Sequence, residues 1–456
     1  MNAHQPFSAD VVVDVSNVAH GVADLWEEYG LEVDGNRIEP HSEAIRDVLA
    51  AHHIEARSIY MVVPAEVVGV EAPSRWVIET INRTRKWAEG QAATDNDVHI
   101  VRGGLSDQGE VGVDSLAVVV ALDLLHRSPD DEPTLVLVSD DSDLAVAGDL
   151  IDRGRLVLAG NFHEGTTARY RRSGLDHLVL GGAWYARLGP STRGLRHPPE
   201  ITPRPAGVCD HDSVEGLPGD AIVLARGGPK PHAVSTPIDR LWGRRAQTTR
   251  LRPLPDMGAA ALLDPYGLAL ERQRLGDSSH HLPTANTVRA LASELGYPGP
   301  VAVWATIPDL WDRAARRLDD EGERFWRERD EALDAASREL RDDDDLSTWV
   351  ERGRLLPRTG DDNSESRATQ KAVSTRMAAD LHLLARVAPD LPILLLTDRP
   401  ELVLVCDFLI DEGIVAADHI RRVGLVNDPV GAHRTATRVL TTVLTPDQAR
   451  SLFGEG

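Results

Sequence analysis

Three short stretches place carboxylates, an amide and hydroxyls where apolar runs give way to helix-like sequence. The run "VVVDV" (11–15) stops at Asp14 and is followed at once by Asn17. "GVDSLAVVVALDLL" (112–125) opens a helix pattern with Asp114, and "TLVLVS" (134–139) runs into Ser139, Asp140, Asp141, Ser142 and Asp143. One Asp or Ser at such a place is an ordinary helix cap or dipole partner. Capping needs one acceptor per helix, whereas "SDDSD" supplies three carboxylates. Carboxylates gathered together repel and raise one another's pKa unless a cation neutralises them. Oxygen-only ligands select a hard ion such as Mg²⁺ or Mn²⁺, and such a site with open positions suits metal-assisted phosphoryl chemistry.

The surrounding elements must bring these groups to one place. "VVVDV", "SIYMVV" (58–63), "VHIVR" (98–102), "TLVLVS", "RLVLAG" (155–160) and "HLVL" (177–180) are apolar at nearly every position and alternate with helix-like stretches, including Ser74 to Gly90. That pattern predicts a parallel sheet covered on both faces, an α/β doubly wound domain over residues 1–186. In such a sheet, ligands bind at the carboxyl ends of the strands, which is the edge that Asp14, Asp114 and Ser139 to Asp143 share. A polar loop is expected between Arg102 and Gly112. Residues 187–255 are rich in proline and glycine and read as a linker, with one hairpin near "DAIVLA".

Residues 256–456 read as a second, tandem α/β domain. "AALLDPYGLAL" (260–270) repeats the opening design, and "LLLTDRPELVLVCDFL" (394–409) overlays "LVLVSDDSDLAVAGDL" (135–150) without a gap, which indicates an internal duplication. The overlay keeps Asp264 and Glu401. It places Gly267 at the position of Asn17, Ser374 at that of Asp114 and Arg399 at that of Asp141. Two carboxylates beside an arginine are expected to form an ion pair rather than to hold a catalytic metal. The stretch 319–353 reads as a long charged helix with an acidic end.

The net charge of −23 argues against indiscriminate binding to polyanions but allows a local basic groove. Cys209 and Cys406 lie far apart and lack metal-ligand spacing, which fits a reducing cytoplasm. No secretion signal is visible at the start, and no apolar run reaches the roughly 20 residues needed to span a bilayer. The expectation is a cytoplasmic protein without a membrane partner.

In order and spacing, "VVVDVSNVAHG", "GVDSLAVVVALDLL", "LVLVSDDSDLAVAGDLIDRGRLVLAG" and "LDHLVL" resemble the motifs of the NYN domain family, a branch of the PIN-like nucleases, over residues 9 to 182. The resemblance implies a metal-dependent ribonuclease, with Asp14, Asn17, Asp114, Asp141 and Asp143 as its site. Asp14, Asp114, Asp141 and Asp143 would be the ligands of Mg²⁺ or Mn²⁺. Three positions depart from the family pattern: Asp140 replaces a glycine, Leu144 an aromatic, and Val120 a second helix acid. Asp123 cannot stand in for that acid, because nine residues at about 100° each put it on the opposite helical face from Asp114.

RNA is the expected partner, single-stranded or structured. Its phosphates would be met by Arg75, Arg102, Arg169 and Arg172, with Arg83, Arg85, Lys86, Tyr170 and Arg171 nearby in sequence. His20 reads either as a group behind the site or as a satisfied buried histidine. The second domain is expected to serve a structural, homodimerising or substrate-gripping role. Two other enzyme classes fit less well. A haloacid-dehalogenase-like phosphatase would need an aspartate where Ser16 stands, and an integrin-type metal site a serine where Val18 stands. The remaining alternative is a non-catalytic RNA-binding or scaffolding protein with a decayed acidic centre.

Overall fold

The computed structural model describes residues 7–28, 39–51, 54–69, 72–127, 135–139, 141, 144, 156–160, 176–179, 222–223, 257–275, 282–297, 299–309, 348–354, 362–426 and 437–454. The chain divides into two compact α/β units, one comprising residues 1–67 and 73–237, the other residues 68–72 and 238–456. Each unit is built on its own sheet.

In the first unit, β1 (Phe7–Asp14) carries Val11, Val12 and Val13, all fully buried, because neighbouring strands flank it on both sides and helices cover its faces. It pairs in parallel with β2 (Ile54–Val67) on one side and with β5 (Leu135–Val138) on the other. Beyond β2 lie β3 (Val98–Ser106) and the antiparallel β4 (Gly109–Val111). Beyond β5 lie β6 (Leu156–Gly160), β7 (Asp176–Val179) and the antiparallel β8 (Ile222–Val223). The order β4-β3-β2-β1-β5-β6-β7-β8 therefore reverses direction at β1. Connections leaving β1 and β5 diverge there, and the crevice between their carboxyl ends is where open parallel sheets bind ligands.

Period-two alternation sends Val11 and Val13 into a core with Val18 and Val22 of α1 (Val15–Glu28) and Ile45 and Leu49 of α2 (Ser42–Ala51). Trp87 of α3 (Arg75–Thr94) joins the same core. The helix α4 (Val113–Arg127) contacts β1, β2, β3 and β5 and is buried from Val113 to Leu125, matching a sequence that is apolar nearly all round.

Several sequence expectations are corrected here. The expected polar loop before α4 is a β-hairpin: Leu105 pairs with Glu110 and Ser106 with Gly109. Gly112, at φ 76°, supplies the left-handed turn from β4 into α4. Gly103 is equally constrained, since a Cβ there would meet a Val113 methyl at 2.8 Å. Of the segment read as a linker, Ile222–Val223 is described, and it joins the first sheet through β7. His20 is exposed on α1 rather than buried.

The second unit has an all-parallel sheet in the order β11-β10-β9-β12-β13-β14. Its strands are β9 (Ala259–Leu263), β10 (Val301–Asp309), β11 (Thr348–Arg354), β12 (Ile393–Leu396), β13 (Ile420–Gly424) and β14 (Leu440–Val443). Here too the strand order reverses at the first strand, β9, between β10 and β12. Its helices include α5 (Pro265–Arg274), α6 (Ala285–Glu294), α7 (Asp362–Val387), α8 (Pro400–Asp411) and α9 (Pro446–Leu452). Capping boxes fix the starts of α6, through Thr284 and Thr287, and of α9, through Thr445 and Gln448. The charged stretch 319–353, expected as one helix, ends instead in β11, where Thr348, Trp349 and Val350 pair with β10. β-branched and aromatic residues such as these favour strands. The rest of the stretch, 319–347, lies outside the described residues.

Candidate functional site

Asp14 ends β1 and is 1% exposed. Its Oδ1 accepts the Asn17 N–H at 3.1 Å, which closes the first turn of α1 over the carboxylate. Its Oδ2 accepts the Ser139 hydroxyl at 3.2 Å, tying the ends of β1 and β5 together across the switch point. The same Ser139 oxygen accepts the Asp141 N–H at 3.0 Å and so holds the Asp141 backbone beside the end of β5. Ser139 was expected to act as a cap; its hydroxyl also orients the central acid.

Among the described residues, the charges acting most strongly on the Asp14 carboxyl are acidic. Burial is the largest influence and pushes its pKa well above the usual aspartate value; Glu110, Asp114 and Asp141 add repulsion, while the Asn17 N–H works in the opposite direction. Two of the other expected residues, Asp114 and Asp141, thus act on Asp14 from separate connections. Asn17 contributes through its backbone. Asp143, the remaining expected ligand, lies outside the described residues, as do Asp140, Arg169 and Arg172.

Glu110 was missed by the sequence reading. It sits on β4, opposite Leu105, four residues before Asp114 and across the Gly112 turn. Its sequence signal was the turn "SDQG" between two extended stretches, which marks a hairpin and places the next residue beside the sheet edge. Val120, which stands in place of a second helix acid, is buried. Asp123 is committed elsewhere, in an ion pair with Arg127 at 2.6 Å.

The two described arginines expected to meet phosphate are on the same sheet edge but are not gathered at Asp14. Arg102 lies one residue beyond the level of Asp14, two strands away, and approaches Glu89 of α3 at 3.9 Å. Arg75 opens α3 with its side chain 91% exposed and pairs with Glu79 at 2.6 Å. Arg85 is turned inward, donating to the Ala65 carbonyl at 2.9 Å.

In donor chemistry the described part of the first-unit cluster suits a hard divalent cation: carboxylate oxygens and one hydroxyl. Among the described residues, no three His, Cys, Asp or Glu side chains stand close enough together to form a finished metal-ligand set.

The corresponding place in the second unit is occupied by its own cation. Asp264 ends β9, fully buried, and its Oδ1 accepts the Gly267 N–H at 2.8 Å. Arg399 donates its backbone N–H to Thr397 Oγ1 at 3.1 Å and its Nε–H to Asp264, forming the ion pair expected from the sequence. Its guanidinium also reaches Ser374 Oγ on α7 at 3.5 Å. Burial raises the pKa of Glu401, and Asp264 adds to that, with Arg399 and Lys371 opposing. A second buried pair joins Asp398 to Arg422, whose other nitrogens donate to the Thr397 and Val426 carbonyls, each at 3.0 Å.

No known protein family's sequence profile matches the chain, and no curated protein matches it. Among the described residues no helix is long and apolar enough to cross a membrane.

Proposed function

We propose that the chain is a metal-dependent ribonuclease whose first unit is a doubly wound, PIN-like nuclease domain and whose second unit is a degenerate copy of it. The observation that carries this reading is the buried Asp14 at the sheet's switch point, with Glu110, Asp114 and Asp141 as its strongest charged neighbours. Such mutual repulsion costs stability in the folded chain and is relieved by a bound cation. Supporting the idea of a copy, both sheets reverse their strand order at a first strand that ends in an aspartate.

Asp14, Asp114, Asp141 and Asp143 would hold Mg²⁺ or Mn²⁺. The bound cation supplies Lewis-acid stabilisation of charge developing on phosphate oxygens and lowers the pKa of a coordinated water. The Ser139 hydroxyl holds Asp14 and the Asp141 backbone in fixed relation, and the Asn17 N–H anchors the second Asp14 oxygen. The Asn17 side chain orients a water or a phosphate oxygen. The substrate is RNA, hydrolysed at a phosphodiester bond. The second unit, whose crevice is filled by Arg399, takes a structural or substrate-gripping role.

The test is cleavage of end-labelled RNA by the purified full chain with Mg²⁺ or Mn²⁺, and with EDTA as control. Cleavage is expected to require the cation and to fall to background in Asp14→Asn and Asp141→Asn. The second reading, a non-catalytic RNA-binding protein, is favoured by the buried, apolar Val120 at the place of a second helix acid. It prevails if the protein retains RNA but leaves it intact in Mn²⁺.

A further inference from the structure

The helix α3 carries two tryptophans with opposite fates. Trp87 lies on the stripe formed by Val77, Thr80, Ile81 and Ala88 and is buried in the core. Trp76 falls one residue off that stripe and is 45% exposed. Among the described residues of the first unit, Trp76 and Ile78 (43%) are the exposed large apolar side chains. They are two positions apart on a helix and point in different directions, so they do not form the continuous apolar patch that a protein partner would use.

Trp76 belongs to a helix that is net basic in a strongly acidic chain. In a chain of net charge −23, α3 bears Arg75, Arg83, Arg85 and Lys86 against Glu79 and Glu89. Arg75 immediately precedes Trp76. Its pair with Glu79 is highly exposed and therefore weak, and it exchanges readily for a phosphate.

Position completes the argument. The N-cap of α3, Ser74, donates its N–H to both Asp107 carboxylate oxygens, at 3.1 and 3.2 Å. Asp107 occupies the turn of the β3–β4 hairpin, which continues through Glu110 to Asp114. The start of α3 is therefore fastened to the same loop that delivers two acids to the crevice.

We infer that Trp76 is a stacking platform for one base of single-stranded RNA, with Arg75 on the adjoining phosphate, at the approach to the carboxylate crevice. The inference rests on the ribonuclease reading and names the contact by which that site takes a single strand. Aromatic faces beside arginine bind single strands in this way, with little dependence on base identity.

The test uses the full chain in EDTA, so that no cleavage interferes, and fluorescence anisotropy of two labelled probes: a short oligouridylate and a ribose-phosphate oligomer of the same length lacking bases. Trp76→Ala is expected to weaken oligouridylate binding roughly 5- to 150-fold, the range for one lost stacking contact. The abasic probe should bind the variant and the parent alike. Trp76→Phe should retain most of the affinity, whereas Arg75→Ala should weaken both probes. Equal oligouridylate affinity in Trp76→Ala and the parent overturns the inference, as does an equal loss on both probes. Binding that depends on Trp76 in a chain that never cleaves RNA would instead overturn the ribonuclease reading alone.

Discussion

Replacing Asp14 by Asn should have opposite consequences with and without a divalent cation. In the metal-free chain, Asp14 is a buried carboxyl pushed up first by burial and then by Glu110, Asp114 and Asp141. A carboxyl whose folded pKa exceeds its ordinary 3.8 contributes stability at low pH and loses it as pH rises through the folded value. Asparagine removes that loss and keeps the geometry: its oxygen accepts the Asn17 N–H, and its amide donates toward Ser139 Oγ. At most one hydrogen bond is weakened, at a net cost of about 0.5 to 1.5 kcal/mol. In EDTA near neutral pH the variant should therefore melt at or above the parent, and it should lack the parent's decline in stability above about pH 4. With Mn²⁺ the order reverses. A cation at 100 times its dissociation constant stabilises the parent by about 2.7 kcal/mol, which for a unit of this size is roughly 5 to 11 °C. The variant should show almost none of that shift. Thermal unfolding followed by circular dichroism, as a function of pH and Mn²⁺, reads both signs. An Asp14→Asn chain that melts lower in EDTA yet keeps the full Mn²⁺ shift would refute the claim that this carboxylate is the centre of a cation site.

Glu110→Gln should lower Mn²⁺ affinity about 10- to 100-fold, as the loss of a supporting group typically does, with cleavage recovered at higher Mn²⁺; an unchanged Mn²⁺ titration would exclude Glu110 from the site. Arg399→Met leaves Asp264 and Glu401 buried without their guanidinium and should cost about 3 to 5 kcal/mol in urea unfolding. The double variant Asp264→Asn/Arg399→Met should regain most of that loss, and additive effects would show that the pair is not coupled. Gly424→Ala should destabilise by about 1 to 3 kcal/mol, because a Cβ there collides with the buried Asp398 and Arg422 side chains; an unchanged urea midpoint would show that this pair can move aside.

Asp14 was legible in the sequence because an apolar strand cannot absorb a carboxylate without a reason, and a strand's end before a helix is a known place for one. Asp114 and Asp141 were legible for the same reason, each adjoining a strongly apolar element. Glu110 was not, because its role depends on a three-residue strand whose register is set by pairing with β3 rather than by its own pattern. The helix α2 was also passed over, although Ile45, Val48 and Leu49 form an apolar stripe, because Glu43, Arg46 and Asp47 interrupt the run. Arg422 carries no sign of burial in "HIRRVG" itself, yet it is fully buried. Only the fold brings Asp398 and two backbone carbonyls to its guanidinium. The Asp264–Arg399 pair could be anticipated because the overlay of the two halves places an arginine where the first half has Asp141.

The two units use the same backbone devices to opposite electrostatic ends. In each, the aspartate ending the first strand accepts an N–H three residues on, Asn17 at 3.1 Å and Gly267 at 2.8 Å. In each, the hydroxyl following the fourth parallel strand accepts an N–H two residues on, from Asp141 at 3.0 Å and from Arg399 at 3.1 Å. Position 141 projects a third carboxylate toward an acid already repelled by two others; position 399 projects a guanidinium that neutralises its acid outright. The side chain two residues after that hydroxyl is an acid in the first unit and a base in the second, and on the proposed reading the first crevice takes its cation from solution. Stability in the first unit should therefore follow divalent-ion concentration, while stability in the second should follow the integrity of Arg399.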